Sequence, residues 1–127
     1  MDSEPLENSH KGKTGFRRVW NALFYSYAGL RAAFKHEDAF RQEVLLAAVL
    51  IPSACFAPVS GAGKALMIAA VLLVLVVELL NSAVEAAVDR ISLDKHRLAK
   101  RAKDFGSAAV FIALVNVAVV WSLVLFG

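Results

Sequence analysis

The sequence predicts an all-α membrane protein with three transmembrane helices and an N-terminal amphipathic surface helix. Three observations carry that prediction. The 127 residues are 58% hydrophobic, too apolar for an ordinary soluble domain of this length. Long runs of the chain lack any charge. The basic residues fall almost entirely on one side of those runs.

The chain opens with "MDSEPLENSHKGK", residues 1–13, which is polar and is expected to be a disordered tail. It contains no early apolar run followed by a small-residue cleavage site, so no cleaved leader is expected. From Thr14 the pattern changes. Phe16, Val19, Trp20, Leu23, Phe24, Tyr27 and Leu30 recur at three- and four-residue spacing, with Arg17, Arg18 and Asn21 on the other face. That periodicity predicts an amphipathic helix over about 14–35, suited to the membrane interface, with packing on a soluble partner as the alternative. "KHEDAFRQE", residues 35–43, reads as the link to the first span.

Val44–Gly63 and Gly106–Phe126 are free of charge over 20 and 21 residues, and Ala65–Val77 is free of charge over 13. The first and third match the ~20 residues that cross a ~30 Å hydrocarbon core. The second crosses only if the polar residues after it are accepted inside a bundle. Spans are therefore expected at about 44–61, 65–90 and 106–126, within one membrane domain over 14–127. Cys55 lies inside the first span, so no disulfide framework exists.

Thirteen of the fourteen Lys and Arg residues lie before the first span or between the second and third; Lys64 alone sits in the first loop. The positive-inside rule then places the N-terminus in the cytoplasm and the C-terminus outside. The net charge of +3 is a topology signal, and nucleic-acid binding is not expected because no nucleic-acid module accompanies it.

The second span holds the informative stretch, "VVELLNSAVEAAVDR", residues 76–90. At about 100° per residue, Glu85 and Asp89 each return to within roughly 20° of Glu78, with Asn81 and Ser82 between them along that face. The remaining positions are Val, Leu and Ala. A charged side chain at membrane depth costs on the order of 3 kcal/mol, so this face must look into protein or an aqueous cleft.

Three readings compete on pattern alone. The groups could tie helices together in an oligomer. They could line an ion or proton path. Or they could do chemistry at the interface, with paired carboxylates on Mg²⁺ and another as general base. "RLAKRAKDFGSAA" supplies Lys100, Arg101, Lys103 and Asp104 just before the third span and Ser107 just inside it. Carboxylates with cations at one membrane surface are the parts phosphoryl transfer needs. Standard nucleotide motifs are absent. "GAGKA", residues 61–65, lacks the earlier Gly and the following Ser or Thr of a phosphate loop. His10, His36 and His96 are scattered and do not suggest a metal site.

"GLRAAF" (29–34), "EDAFRQE" (37–43), "VELLNSAVEAAVDRI" (77–91) and "RAKDFGSAAV" (101–110), in this order, resemble the small integral-membrane diacylglycerol kinases of Gram-negative bacteria. The resemblance runs from about Thr14 to the C-terminus. It implies a homotrimeric helical bundle in the bacterial inner membrane that transfers the γ-phosphate of MgATP to diacylglycerol, giving phosphatidic acid at the cytoplasmic face.

It also implies roles by position. Glu78 matches the general base, and Glu37 and Glu85 the carboxylates that bring Mg²⁺ to ATP. ATP contacts match Arg18, Tyr25, Glu37, Glu85, Asp94, His96, Lys103 and Asp104. Lipid contacts match Arg18, Ser26, Arg31, Ala39, Phe40, Arg41, Gln42, Glu43, Glu78, Ser107 and Trp121, and Asn81 and Asp89 support the site. "SLDKHRL" (92–98), with Asp94 and Lys95, departs from the family pattern, as does the first loop with Pro58 and Gly61. Two alternatives stay open: the related undecaprenol kinase, with the same architecture and a polyprenol acceptor, and a non-enzymatic ion- or proton-conducting helical oligomer.

Overall fold

The computed structural model describes residues 11–91 and 97–127. Among the described residues four helices follow one another: α1, Lys11–His36; α2, Asp38–Phe56; α3, Gly61–Ile91; and α4, Arg97–Phe126. Among the described residues there is no strand. Three of these helices, α2 to α4, are long and apolar enough to cross a membrane, which makes this an all-α membrane protein. Residues 1–10 of the expected polar tail lie outside the described residues.

The chain divides into two units, Met1–Ala32 and Ala33–Gly127. In the first, the periodic apolar residues of α1 form an exposed stripe of Phe16, Val19, Trp20, Leu23, Phe24 and Tyr27. Trp20 and Phe24, one turn apart, meet edge to face with ring centroids 5.5 Å apart.

In the second unit, α2 begins at Asp38, well before the expected 44. The charged run 37–43 holds no Gly or Pro, so nothing in it breaks a helix; the chain leaves helical geometry at Glu37, with φ −113° and ψ 109°. Arg41 secures this corner. Its Nη1 donates to the Phe34 carbonyl at 2.7 Å, satisfying an acceptor at the end of α1, while Nη2 pairs with Asp38. The helix ends at Phe56, short of the expected 61, because Pro58 drives Ala57 to an extended conformation (φ −68°, ψ 144°). Ser60 then accepts the Gly63 N–H at 3.0 Å and starts α3. The Lys64 ammonium donates to the Cys55 carbonyl at 2.8 Å, closing the loop onto the end of α2.

Helices α2 and α4 both pack on α3, the central helix. Its buried residues are Gly63, Met67, Ala70, Val71, Val74, Glu78 and Asn81, a seam at three- and four-residue spacing. Helix α4 runs antiparallel along it. Gly63 packs on Val124, the Trp121 indole N–H donates to the Met67 carbonyl at 3.1 Å, and Gly106 packs on Asn81. Small residues at Gly63, Ala70, Gly106 and Ala113 allow this close approach, as helix packing in lipid requires. The outward face of α4, with Phe111, Ile112, Val115, Val119 and Leu123, is exposed and apolar.

Met67 is completely buried at the centre of the seam. We predict that Met67→Ala destabilises the bundle by about 2–5 kcal/mol through the cavity it leaves. Thermal unfolding in detergent checks this; an unchanged midpoint would mean the seam repacks without cost.

Candidate functional site

The polar groups of α3 continue the apolar packing seam toward the end of the helix, and their exposure is graded. Glu78 and Asn81 are buried, at 6% and 9% exposure. Ser82 and Glu85 are half-buried, and Asp89 is exposed. Eleven residues of helix separate Glu78 from Asp89, a rise of about 16 Å. The stripe therefore leads from the packed interior to an exposed end of the helix.

At the dry end, Glu43 of α2 stands against Glu78, near enough for the two carboxyl groups to interact directly. Its Oε1 is buried without a hydrogen-bond partner, as is Asn81 Oδ1. Two buried acceptor oxygens lacking donors are costly, so a ligand that brings a donor is favoured there. Glu43 also caps an apolar groove of about 260 Å³ between α2, α3 and α4, lined by Leu46, Ala47, Leu50, Val71, Val74, Leu114, Val117 and Ala118. The groove lining is apolar apart from this one carboxyl group.

Toward water, Ser82 donates to Glu37 Oε1 at 3.2 Å, joining the α1–α2 corner to the stripe. Lys103 Nζ lies 2.6 Å from Asp89 Oδ1, and Glu85 is close enough to add to the attraction. Lys100 pairs with Asp104 at 2.7 Å, one turn along α4. This end concentrates carboxylates and ion-paired lysines on an exposed surface, a setting suited to phosphate and a divalent cation. Among the described residues no three His, Cys, Asp or Glu side chains form a metal cage. A cation here would need ligand oxygens in addition to the protein's carboxylates.

The other residues singled out in the sequence fall on α1, α2 and α4 or outside the described residues. Ala39 and Gln42 are exposed on α2, whereas Phe40 is buried in the packing. Ser107 is exposed on α4 next to Gly106. Trp121 is tied to Met67, eleven residues along α3 from Glu78, so it stands apart from the carboxylates. Arg18, Tyr25, Ser26 and Arg31 are exposed on α1, in the first unit. Asp94 and His96 lie outside the described residues.

Two residues that matter for the geometry, Ser82 as the partner of Glu37 and Gly106 as the seat of Asn81, carry no assigned role in the sequence reading. Ser82 shares the stripe's spacing, and that was its signal. The Gly106 contact leaves no trace in local pattern beyond a Gly at the mouth of a span.

The profile of the prokaryotic diacylglycerol kinase family matches residues 24–125. The chain is 58% identical over 117 residues to a diacylglycerol kinase of Pseudomonas aeruginosa, covering 92% of this chain and 95% of that one. It is 52% identical over 113 residues to a diacylglycerol kinase of Haemophilus influenzae, covering 89% and 96%. A diacylglycerol kinase of Escherichia coli K12 is 47% identical over 114 residues, covering 90% and 93%.

Proposed function

Because the chain belongs to the prokaryotic diacylglycerol kinase family, we propose that it transfers the γ-phosphate of ATP to the primary hydroxyl of diacylglycerol, with Glu78 as general base. The observation that carries this reading is the graded stripe. Its buried end meets an apolar groove at the Glu43–Glu78 pair, and its exposed end meets water among Lys103, Asp104 and Asp89. A lipid hydroxyl and a soluble phosphate donor approach the same helix from opposite ends.

The step is a direct displacement. Glu78 accepts the hydroxyl proton, the hydroxyl oxygen forms a bond to the γ-phosphorus, and the bond from that phosphorus to the β–γ bridging oxygen breaks. ADP leaves with the electron pair, and phosphatidic acid is the other product. No protein nucleophile is needed. Glu43 orients the hydroxyl beside Glu78, and holding both substrates on one helix replaces a two-phase encounter by a local one.

Glu37 and Glu85 are the residues that would hold Mg²⁺, since two carboxylates plus phosphate oxygens suit a hard cation that keeps few protein ligands. Bound there, Mg²⁺ would neutralise charge on the phosphates. Lys103 provides a cation for the same phosphates, exchanging its contact with Asp89. Arg18, Tyr25, Asp94, His96 and Asp104 are further proposed ATP contacts, on the family resemblance alone. So are the lipid contacts on α1 and at Trp121.

We further propose a homotrimer in the bacterial inner membrane, with the basic connections cytoplasmic and the C-terminus periplasmic. The one-sided distribution of Lys and Arg and the exposed apolar face of α4 support that arrangement.

The test is transfer from γ-labelled ATP in mixed micelles, offering short-chain diacylglycerol and undecaprenol in parallel. Labelled phosphatidic acid as the dominant product is expected. Dominant undecaprenyl phosphate would overturn the choice of acceptor, and no lipid product would overturn the kinase reading.

A further inference from the structure

Helix α2 has an N-cap residue that does not cap. Glu37 occupies the position, with the extended backbone a cap requires, yet its carboxylate makes no hydrogen bond to the first turn. The side chain crosses to α3 and accepts the Ser82 hydroxyl at 3.2 Å. Ser82 is unusual in the same way. A serine inside a helix ordinarily donates to the carbonyl four residues back, as Ser53 does to Val49 at 2.8 Å. Ser82 instead donates across helices. Both residues forgo a local partner for each other, over 45 positions of sequence.

The location gives the contact a purpose. Ser82 lies four residues after Glu78 and three before Glu85, on the face those carboxylates share. It is half-buried, between the dry and wet ends of the stripe. The corner that carries Glu37 is already held by Arg41 on the Phe34 carbonyl. The Ser82 contact is therefore not needed to make the corner; what it fixes is where the Glu37 carboxylate points.

We propose that Ser82 is a positioning residue that aims Glu37 toward Glu85, so that a divalent cation finds both carboxylates arranged before it binds. The inference rests on the reading of Glu37 and Glu85 as the cation-holding pair. Outer hydrogen bonds to ligating carboxylates commonly alter metal affinity by about 10–100-fold when removed.

The test uses the full chain in lipid bilayers, as wild type, Ser82→Ala, Ser82→Thr and Glu37→Gln. Mn²⁺ binding in the presence of a non-hydrolysable ATP analogue is read by electron paramagnetic resonance, and turnover is titrated with Mg²⁺. Ser82→Ala is expected to weaken Mn²⁺ binding about 10-fold and to raise the half-saturating Mg²⁺ in step, with the turnover deficit shrinking as Mg²⁺ is raised. Ser82→Thr, which keeps the hydroxyl, is expected to restore both.

Wild-type Mn²⁺ binding by Ser82→Ala alongside its loss in Glu37→Gln would overturn the role of Ser82 and leave the carboxylate reading standing. Unchanged binding in Glu37→Gln would overturn that reading itself, and the inference with it. A deficit in Ser82→Ala that Mg²⁺ does not relieve and Thr does not repair would show a merely structural contact, and would also overturn the proposal.

Discussion

Glu78→Gln is expected to lower phosphoryl transfer to diacylglycerol by about 10²- to 10⁴-fold, the contribution of a well-placed general base. The substitution keeps volume and shape at a site only 6% exposed. It removes the proton acceptor and leaves the helix seam intact. Gln also carries an amide that can donate toward Glu43, whose Oε1 has no partner in the wild type. The variant should therefore insert and assemble normally and unfold at an equal or higher temperature. Turnover in micelles, measured with the thermal midpoint of the same sample, separates lost chemistry from lost structure. Turnover within a few-fold of wild type would remove Glu78 from the mechanism.

Gly106→Ala is expected to have the second-largest effect, on stability and turnover together. A methyl group at Gly106 would run into Asn81 Oδ1 and come within 3.1 Å of its Cγ. Asn81 is short, buried and bounded by the seam, so it has little room to yield. Either α4 moves away from α3 or Asn81 is displaced. Overpacking of this kind costs about 1–3 kcal/mol, and here it also shifts the residues between Glu78 and Glu85. At the far end of the same seam, a methyl at Gly63 would meet the Val124 Cγ1 at 3.0 Å and Ser60 Oγ at 3.4 Å. Valine can shift by a few tenths of an ångström, so Gly63→Ala should lower the thermal midpoint less and spare turnover. Equal effects of the two substitutions on turnover would show that Gly106 matters only as a packing residue.

Much of the architecture follows from elementary patterns. Charge-free runs of membrane length mark the first and third spans, a shorter run continued by the polar stripe marks the second, and apolar periodicity from Phe16 to Leu30 marks the amphipathic helix, because hydrocarbon and helix geometry act on local sequence. Boundaries were less legible. The segment 35–43 reads as a charged link, yet the chain is helical from Asp38, since charges at a helix end do not break it; Arg41 holds the corner by donating to the Phe34 carbonyl at the end of α1 and pairing with Asp38.

The site was legible along α3 and illegible across helices. Spacing alone placed Glu78, Asn81, Ser82, Glu85 and Asp89 on one face. That Glu43 meets Glu78, that Ser82 holds Glu37, and that Asn81 rests on Gly106 are facts of packing between segments distant in sequence. No local periodicity encodes them. The structure also separates Trp121 from the carboxylates by tying it to Met67, a distinction that a motif match cannot make.

The proposed mechanism docks the lipid hydroxyl at Glu43 and Glu78, with its acyl chains in the groove beyond. The most direct measurement is photolabelling of the active protein in bilayers with a diacylglycerol that carries a diazirine on the acyl carbon beside the ester, followed by mapping of the modified residues. Attachment is expected within Leu46, Ala47 and Leu50 of α2 and Leu114, Val117 and Ala118 of α4, reduced by competing unlabelled diacylglycerol. Competed labelling confined to the outward residues Leu80 and Val84 of α3, with the groove unmodified, would contradict it.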